Sequence, residues 1–561
     1  MTLPPDTASP VDALADRFWE SALELNPTLA TFYGDDRYAG RLEDPSAAGR
    51  AAIRALMERT AAEASAIPVD GLPTEERITR DMLKVIAELQ IEEDDQHLHQ
   101  LRVVDQMSGP QQLLPQLTQF QPADTPERLE AFLERLHGYP AFMAAHIETL
   151  REGLASGLTA PRIVAERTIA QIERMLAIPI ESAIVASMVK VASEADRERV
   201  REVVREVVHP ADVAFLEALQ GAYLAATRED PGLWSAPNGE RLYRTAIRSW
   251  TSLDLDPNDV HAIGMAQLVS IESERREIAR AAGHGDDTAA YRAALDADVE
   301  NTPQTKAELV ARANEDIERA MAAAPRYFGV LPRALCEVRP VEEYKEKDAP
   351  FAYYYPPSPD GSRDGIYYAN GYDLASRKYT KLASTTYHEA APGHHFQITL
   401  ETENPHLNRF RRLGARVVGG AYVEGWGLYS ERLADEMGLY RSEGERFGML
   451  DAQAWRAARL VVDTGLHALR WPRQRSIDFL RETGLSETDA VIETDRYICW
   501  PGQALTYMIG QLEIQRLRAE LTARDDSRFD LRAFHDAVLG HGSLPLATLS
   551  RELPMWLATP A

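Results

Sequence analysis

At 561 residues, 45% of them hydrophobic and 26% charged, the chain has ample material for a deep core and is too apolar for wholesale disorder. Its formal charge of -26 disfavours nucleic acid and anionic membrane as bulk partners, because both need a basic face. The two cysteines, Cys336 and Cys499, lie far apart and outside any C-x-x-C pattern, which argues against a disulfide framework and against a thiolate metal site.

The amino-terminal run Met1–Thr7 lacks the basic and apolar regions of a leader, and no uninterrupted apolar stretch approaches membrane-spanning length. The expectation is a reduced, cytoplasmic protein without a membrane partner. From Pro10 the pattern is helical, with Leu14, Phe18 and Leu25 on one face and Asp12 and Asp16 in the first turns, until Asn26-Pro27 ends it. Further helices are predicted over Ala47–Ala66 and Thr74–Leu101, then an irregular run Val103–Pro122 broken by Ser108-Gly109-Pro110. Thr125–Gly153 opens on a proline in its first turn. Pro161–Leu176, Ile180–Val191, Ser193–Val207 and Pro210–Thr227 follow, with Glu and Arg interleaved on solvated faces. Leu242–Trp250, a helix capped by Asn258 or Asp259 and running to Ala282, and Pro303–Ala324 complete the helical part. His261 and His284 read as structural or loop residues.

The period changes at Phe328. Cys336–Val341, Ala352–Tyr355 and Gly365–Asn370 are short β-branched or aromatic runs, the last two separated by the turn-rich 356–361 segment, and predict a small sheet. The expected division is a helical region over 1–325 forming one wall of a cleft and a catalytic region over 326–561, with one continuous domain as the alternative.

The densest chemistry lies in Ser384–Gln397, which holds three of the chain's 14 histidines, a carboxylate and a Pro-Gly break. In H-E-x-x-H, two histidines one turn apart hold zinc and the Glu beside the first is a general base. Here the position of the second histidine is Pro392, and His394 and His395 fall six and seven residues after His388. On an unbroken helix two turns separate His395 from His388, roughly 10 Å along the axis and too far to share one ion. Pro392 lacks the N–H that would bond the His388 carbonyl, it disfavours helical geometry at Ala391, and Gly393 can take a positive φ. A kink or π-type bulge would then bring a later histidine back beside His388. Spacing alone leaves His394 and His395 both open.

A third ligand is sought downstream. Glu424 lies between Val423 and Trp426 on a helix-patterned run, and a poorly solvated carboxylate needs a partner that a metal supplies; Glu431 is the alternative, or a support behind the ligands. In Trp455–Trp471 the residues Arg456, Arg459, Asp463, His467 and Arg470 form one polar helix face, which offers His467 as an active-site residue. Trp500-Pro501-Gly502-Gln503 opens a helix whose amino terminus favours anions. Arg496 would hold a substrate carboxylate, and Tyr507 or Tyr497 would donate to an oxyanion.

The motifs His388-Glu389-x-x-Pro392-Gly393-His394-His395-x-Gln397, Glu424-Gly425-Trp426 and Trp500-Pro501-Gly502-Gln503-Ala504-Leu505-x-Tyr507-x-Ile509-Gly510-Gln511 together resemble the bacterial family catalogued as domain-of-unknown-function 885. That family is placed among the gluzincin metallopeptidases. The resemblance spans the chain from Asp16-Arg17-Phe18-Trp19 to its end. It implies a mainly α, large helical metallopeptidase-like fold with the small sheet just before the metal-binding helix, His388, His394 and Glu424 as zinc ligands with His395 in reserve, and Glu389 as base. It also implies a sheet edge antiparallel to the substrate, for which Tyr367–Asn370 is the candidate, with Tyr368 and Asn370 contacting the substrate. The oxyanion donor would be Tyr507 or His467.

The first functional expectation is therefore a zinc hydrolase, with another divalent metal as alternative, that cleaves short peptides with metal-activated water. The second is a metal-dependent hydrolase of a non-peptide amide or ester, and the third a helical binding protein without catalysis.

Overall fold

The computed structural model describes residues 9–557 apart from 192, 343–345, 347–349, 359–360, 362, 415–418 and 525–528; the leader reading at Met1–Thr7 and part of the turn expected at 356–361 lie outside them. The architecture is mainly α, with one three-stranded sheet among the described residues. The chain forms two compact units: Met1–Thr245 with Leu466–Arg473 and Val491–Pro501, and Ala246–Gly465 with Gln474–Ala490 and Gly502–Ala561. The first boundary thus falls at Thr245 rather than near residue 325. The reason is in the packing of Lys306–Ala323, whose Leu309, Ala313 and Ile317 cluster with Val338 and Tyr367 of the sheet and with Leu382. That helix belongs with the second unit, which also holds Ser384–Gln397.

In the first unit the helix ends follow the sequence signals closely. Ser9 caps Pro10–Leu25, its hydroxyl accepting from the Asp12 N–H at 3.1 Å, and Val11, Leu14, Ala15 and Phe18 point into the core. Thr125 caps Pro126–Ser156 by accepting from the Arg128 N–H. Several expectations fail here; the helix predicted over 180–191, for one, is a 3-10 turn, Ile180–Ser182, followed by the short helix Ile184–Met188. The helix predicted over 74–101 stops at Asp95 and resumes as Leu98–Arg102, because His97 adopts a left-handed φ of 54° that no right-handed helix accommodates. The separate helices expected on either side of Pro210 are instead continuous, since Glu194–Val203 widens into a π turn at Val204–Val208 and runs on through His209–Ala218. A wide turn leaves room for the proline ring and its missing donor.

In the second unit Asp256, two or three residues earlier than expected, caps Pro257–Ala281 by accepting from the Asn258 N–H. The sheet consists of β1 (Cys336–Pro340), β2 (Ala352–Tyr355) and β3 (Gly365–Ala369) in the order β1-β3-β2. β1 pairs with β3 in parallel and β2 pairs with it antiparallel, so that Tyr367 lies opposite both Val338 and Tyr354. All five β3 residues are buried, as expected for a strand covered on both faces. This corrects the assignment of Tyr367–Asn370 as a substrate-binding edge: both hydrogen-bonding sides of β3 are already used, and strand addition requires a free one.

Candidate metal centre

All the groups of the cluster belong to the second unit. Tyr379–Glu389 and His394–Glu403 are two separate helices, so the expected kink is a full break. Ala390 leaves helical geometry at φ -105°, ψ -106°. Gly393 keeps a negative φ of -81°, contrary to expectation, and is required for another reason: a Cβ there would lie 1.8 Å from the His388 carbonyl oxygen. The break is pinned from the opposite side by Trp426, whose Nε1 donates to the Pro392 carbonyl at 2.9 Å.

This break swings His394 back beside His388, with ring centroids 4.7 Å apart and planes at 83°. Glu424 arrives on the helix Gly420–Glu436. One potential ligand atom from each of His388, His394 and Glu424 lies within 4.8 Å of the others. Glu424 Oε2 is 3.6 Å from His388 Nε2 and 3.5 Å from His394 Nε2, too long for good hydrogen bonds. Zinc bonds of about 2.0–2.1 Å at tetrahedral angles place neighbouring ligand atoms about 3.3–3.4 Å apart, so this spacing fits a shared cation. The donor set, two imidazoles and one carboxylate, is that of a catalytic zinc with an open position. Glu424 is the more accessible of the pair, its side chain 25% exposed against 4% for His388.

The surroundings orient these groups. His388 Nδ1 donates to Glu431 Oε1 at 2.9 Å, which turns Nε2 toward Glu424. Glu431 is itself fixed by Ser384, whose hydroxyl donates to Oε2 at 2.7 Å. Glu431 is therefore the support behind His388 and not a ligand. Glu431→Gln should weaken zinc binding about tenfold, at the low end of the effect of losing such a partner, as measured by competition with a chromophoric chelator. Gly427 makes room on the other side, since a Cβ there would lie 2.8 Å from His388 Nε2 and 2.9 Å from His394 Cε1.

Burial alone would push the His388 imidazole down, but Glu424 and Glu431 outweigh it and lift it to about 10. Burial likewise opposes ionisation of Glu424, yet its two imidazole partners hold it well below the usual carboxylate range. A raised imidazole stabilises the metal-free fold fully below about pH 6.5 and loses that contribution as pH rises through about 10. Proton and cation compete for the same nitrogen. Zinc affinity should therefore climb by roughly tenfold per pH unit through the neutral range, with about one proton released per ion bound at pH 7; calorimetry in buffers of different ionisation enthalpy measures that release.

Glu389 ends the helix Tyr379–Glu389, next to His388. Burial pushes its carboxyl up, while His394, His388 and Arg456 pull it back. No described residue hydrogen-bonds it, so its lone pairs stay available. Tyr507 stacks on His388 with centroids 6.2 Å apart at 25°. The guanidinium of Arg459 lies 4.4 Å and that of Arg456 5.9 Å from the Tyr507 ring centre, and both also cover Trp455. The polar stripe on this helix was legible in the sequence, but the closeness of these two arginines to the cluster was not.

Other expected site residues sit elsewhere. His395 turns to the sheet, where Tyr354 Oη lies 2.9 Å from its Nδ1 and the Ala334 carbonyl 3.2 Å from its Nε2, and burial lowers it to about 4. It is not a ligand. The Asn370 amide donates to the carbonyls of Glu346 and Pro350, and Tyr368 stacks on Tyr353 at 4.9 Å; these contacts tie both residues to the sheet and its surroundings. His467 belongs to the first unit, with Nδ1 accepting from the Leu233 N–H and Nε2 donating to the Tyr497 carbonyl. Both nitrogens are committed to backbone, so His467 is not the oxyanion donor. Tyr497 donates to Glu493 at 2.6 Å, and Arg496 pairs with Glu493 and lies over Trp500. Neither has the expected role. The anion expected at Gly502 is supplied by the chain itself, as Asp463 accepts from the Gly502 N–H at 3.0 Å. Gly502 has φ of 83°, which favours glycine.

The helix Gly420–Glu436 packs against Thr506–Arg524 as closely as backbones allow. A Cβ on Gly425 would lie 2.4 Å from the Gly510 backbone, and one on Gly510 would lie 1.9 Å from the Ala421 carbonyl oxygen.

A family profile described as "Bacterial protein of unknown function (DUF885)" matches residues 27–553. Comparison with curated proteins finds no match. Among solved structures, a candidate lipoprotein from Colwellia psychrerythraea is similar at 28% identity and a TM-score of 0.89, covering 98% of this chain and 100% of that one. A candidate lipoprotein of unknown function from Shewanella oneidensis is similar in fold at 18% identity and a TM-score of 0.74, over the same shares of the two chains. No helix among the described residues is long and apolar enough to cross a membrane.

Proposed function

Because this chain belongs to the DUF885 family of bacterial proteins, whose description assigns no activity, we propose its function from the site itself: a metal-dependent hydrolase of the gluzincin kind that cleaves amide bonds in short peptides. The observation that carries the reading is the convergence of His388, His394 and Glu424 beside a carboxylate, Glu389, that no described residue hydrogen-bonds.

The three ligands would hold zinc, which when bound polarises a carbonyl and lowers the pKa of a water to about 7. Glu389 takes the proton of the attacking water and returns it to the departing nitrogen, the transfer that a positioned carboxylate performs in general acid–base catalysis. Tyr507, held against His388 by ring stacking, supplies a phenol for the developing oxyanion, a donor worth about 2.7–4 kcal/mol in comparable sites. Arg456 opposes the effect of burial on Glu389 and so favours its basic form at neutral pH. Glu431 keeps the His388 ring in the ligating orientation.

The test is a panel of short peptides, acylated amides and esters assayed with zinc-loaded and chelator-stripped protein. Peptide hydrolysis that vanishes on stripping and returns with zinc is the expected result. Turnover confined to the non-peptide compounds would keep the metal chemistry and remove the peptide, and metal-independent turnover would remove the reading altogether.

A further inference from the structure

A cavity of about 400 Å³ lies within the first unit, lined by residues of the 43–149 region, none of which belongs to the metal cluster. Its volume is in the range of about 300–1,000 Å³ typical of small-molecule sites. The walls are mostly apolar, with Ile53 and Met57 from Ala47–Ala66, Ile91 from Thr74–Asp95, Leu98 from the short helix after His97, Leu113 from the segment before Pro122, and Phe142 from Pro126–Ser156. Elements from five stretches of chain thus surround one space, and their side chains do not fill it. Interiors normally close-pack.

The polar groups on these walls are charge-compensated. Arg50 is paired with Glu152, Arg54 with Glu58, Asp94 and Asp95, and Arg102 with Glu93. Three lining groups do not fit this pattern, the first being His99, whose buried Nε2 has no hydrogen-bond partner among the described residues and lies 3.5 Å from a Glu152 oxygen. Glu43 Oε2 is a buried oxygen with no hydrogen-bond partner among the described residues. His146 rests edge-on against Phe142 at 4.5 Å, and no described residue hydrogen-bonds its ring. Burial pushes Glu43 up, toward its neutral form; burial and then Arg50 bring His146 down to about 4, so its ring is uncharged at neutral pH. A full charge entering here would be desolvated without a free counter-charge, which is costly. An apolar body with one hydrogen-bonding group would not be.

We propose that this cavity binds an uncharged, largely apolar small molecule whose single polar group is held by Glu43 and His146. The site is independent of the hydrolase reading and would stand if that reading fell.

The experiment compares two probes that share one aromatic skeleton, the uncharged N-phenyl-1-naphthylamine and the anionic 8-anilinonaphthalene-1-sulfonate, titrated into the full chain and followed by fluorescence. Saturable one-to-one binding of the uncharged probe is expected, at least about tenfold tighter than that of the sulfonate. Met57→Trp and Ile91→Phe, on different helices, should each abolish that binding by filling the space, while circular dichroism and zinc content stay as in the parent. His146→Phe should weaken it about tenfold by removing one hydrogen bond. Non-saturable binding, equal affinity for the sulfonate, or binding that survives both filling variants overturns the proposal. So does a crystal structure of the probe complex with the probe outside these walls, whatever the variants do.

Discussion

Glu389→Gln should retain zinc at parental affinity and lose peptide hydrolysis by about 10²–10⁴-fold, the range that a general base contributes. The side chain keeps its length and its place at the end of the first ligand helix, and because it is not a ligand the cluster of His388, His394 and Glu424 is untouched. Only the capacity to accept a proton is removed. Zinc stoichiometry by emission spectroscopy and single-turnover rates on the best peptide separate the two quantities. Parental turnover in the variant would take Glu389 out of the mechanism, and loss of zinc together with turnover would make it a ligand.

Gly427→Ala should reduce turnover by about 10²-fold, the scale of a misplacement of about 1 Å at a reacting centre. The added methyl would sit 2.8 Å from His388 Nε2, the nitrogen that faces Glu424, and imidazoles are movable where helix backbone is not. The rings should yield and the ligand spacing widen. Alanine suits a helix interior better than glycine, so the melting temperature of the metal-free protein should not fall by the amount that a disrupted core would produce. The informative pattern is a large loss in zinc affinity and rate with little loss of fold. Parental zinc affinity in this variant would mean that His388 and His394 do not hold the ion with Nε2 facing this helix.

The cluster of His388, His394 and Glu424 was legible because the motif is dense and because a Pro-Gly pair inside a helical pattern has few outcomes. The choice between His394 and His395 was harder from spacing alone. Adjacent helical residues point about 100° apart, so only one can face the cluster, and it takes the sheet with Tyr354 to show where the other goes. The strands were readable from their aromatic and β-branched content, yet the middle position of β3 was not, since strand order depends on pairings that no local pattern encodes. His467 and Arg496 failed for a similar reason. Periodicity identifies a polar residue on an apolar face, but not whether a backbone carbonyl or a carboxylate already meets it, as the Tyr497 carbonyl and Glu493 do. Glu431 was visible two turns beyond Glu424, and its hydrogen bond to His388 shows on which side of that ring it stands.

The glycine contact between Gly425 and Gly510 gears the carboxylate next to the first to the phenol three positions before the second. Neither helix can slide without carrying the other, so Glu424 and Tyr507 should breathe in step. Relaxation-dispersion spectra labelled at both positions would then show one exchange rate, and an inhibitor that prised the phenol aside would be felt at the carboxylate as well.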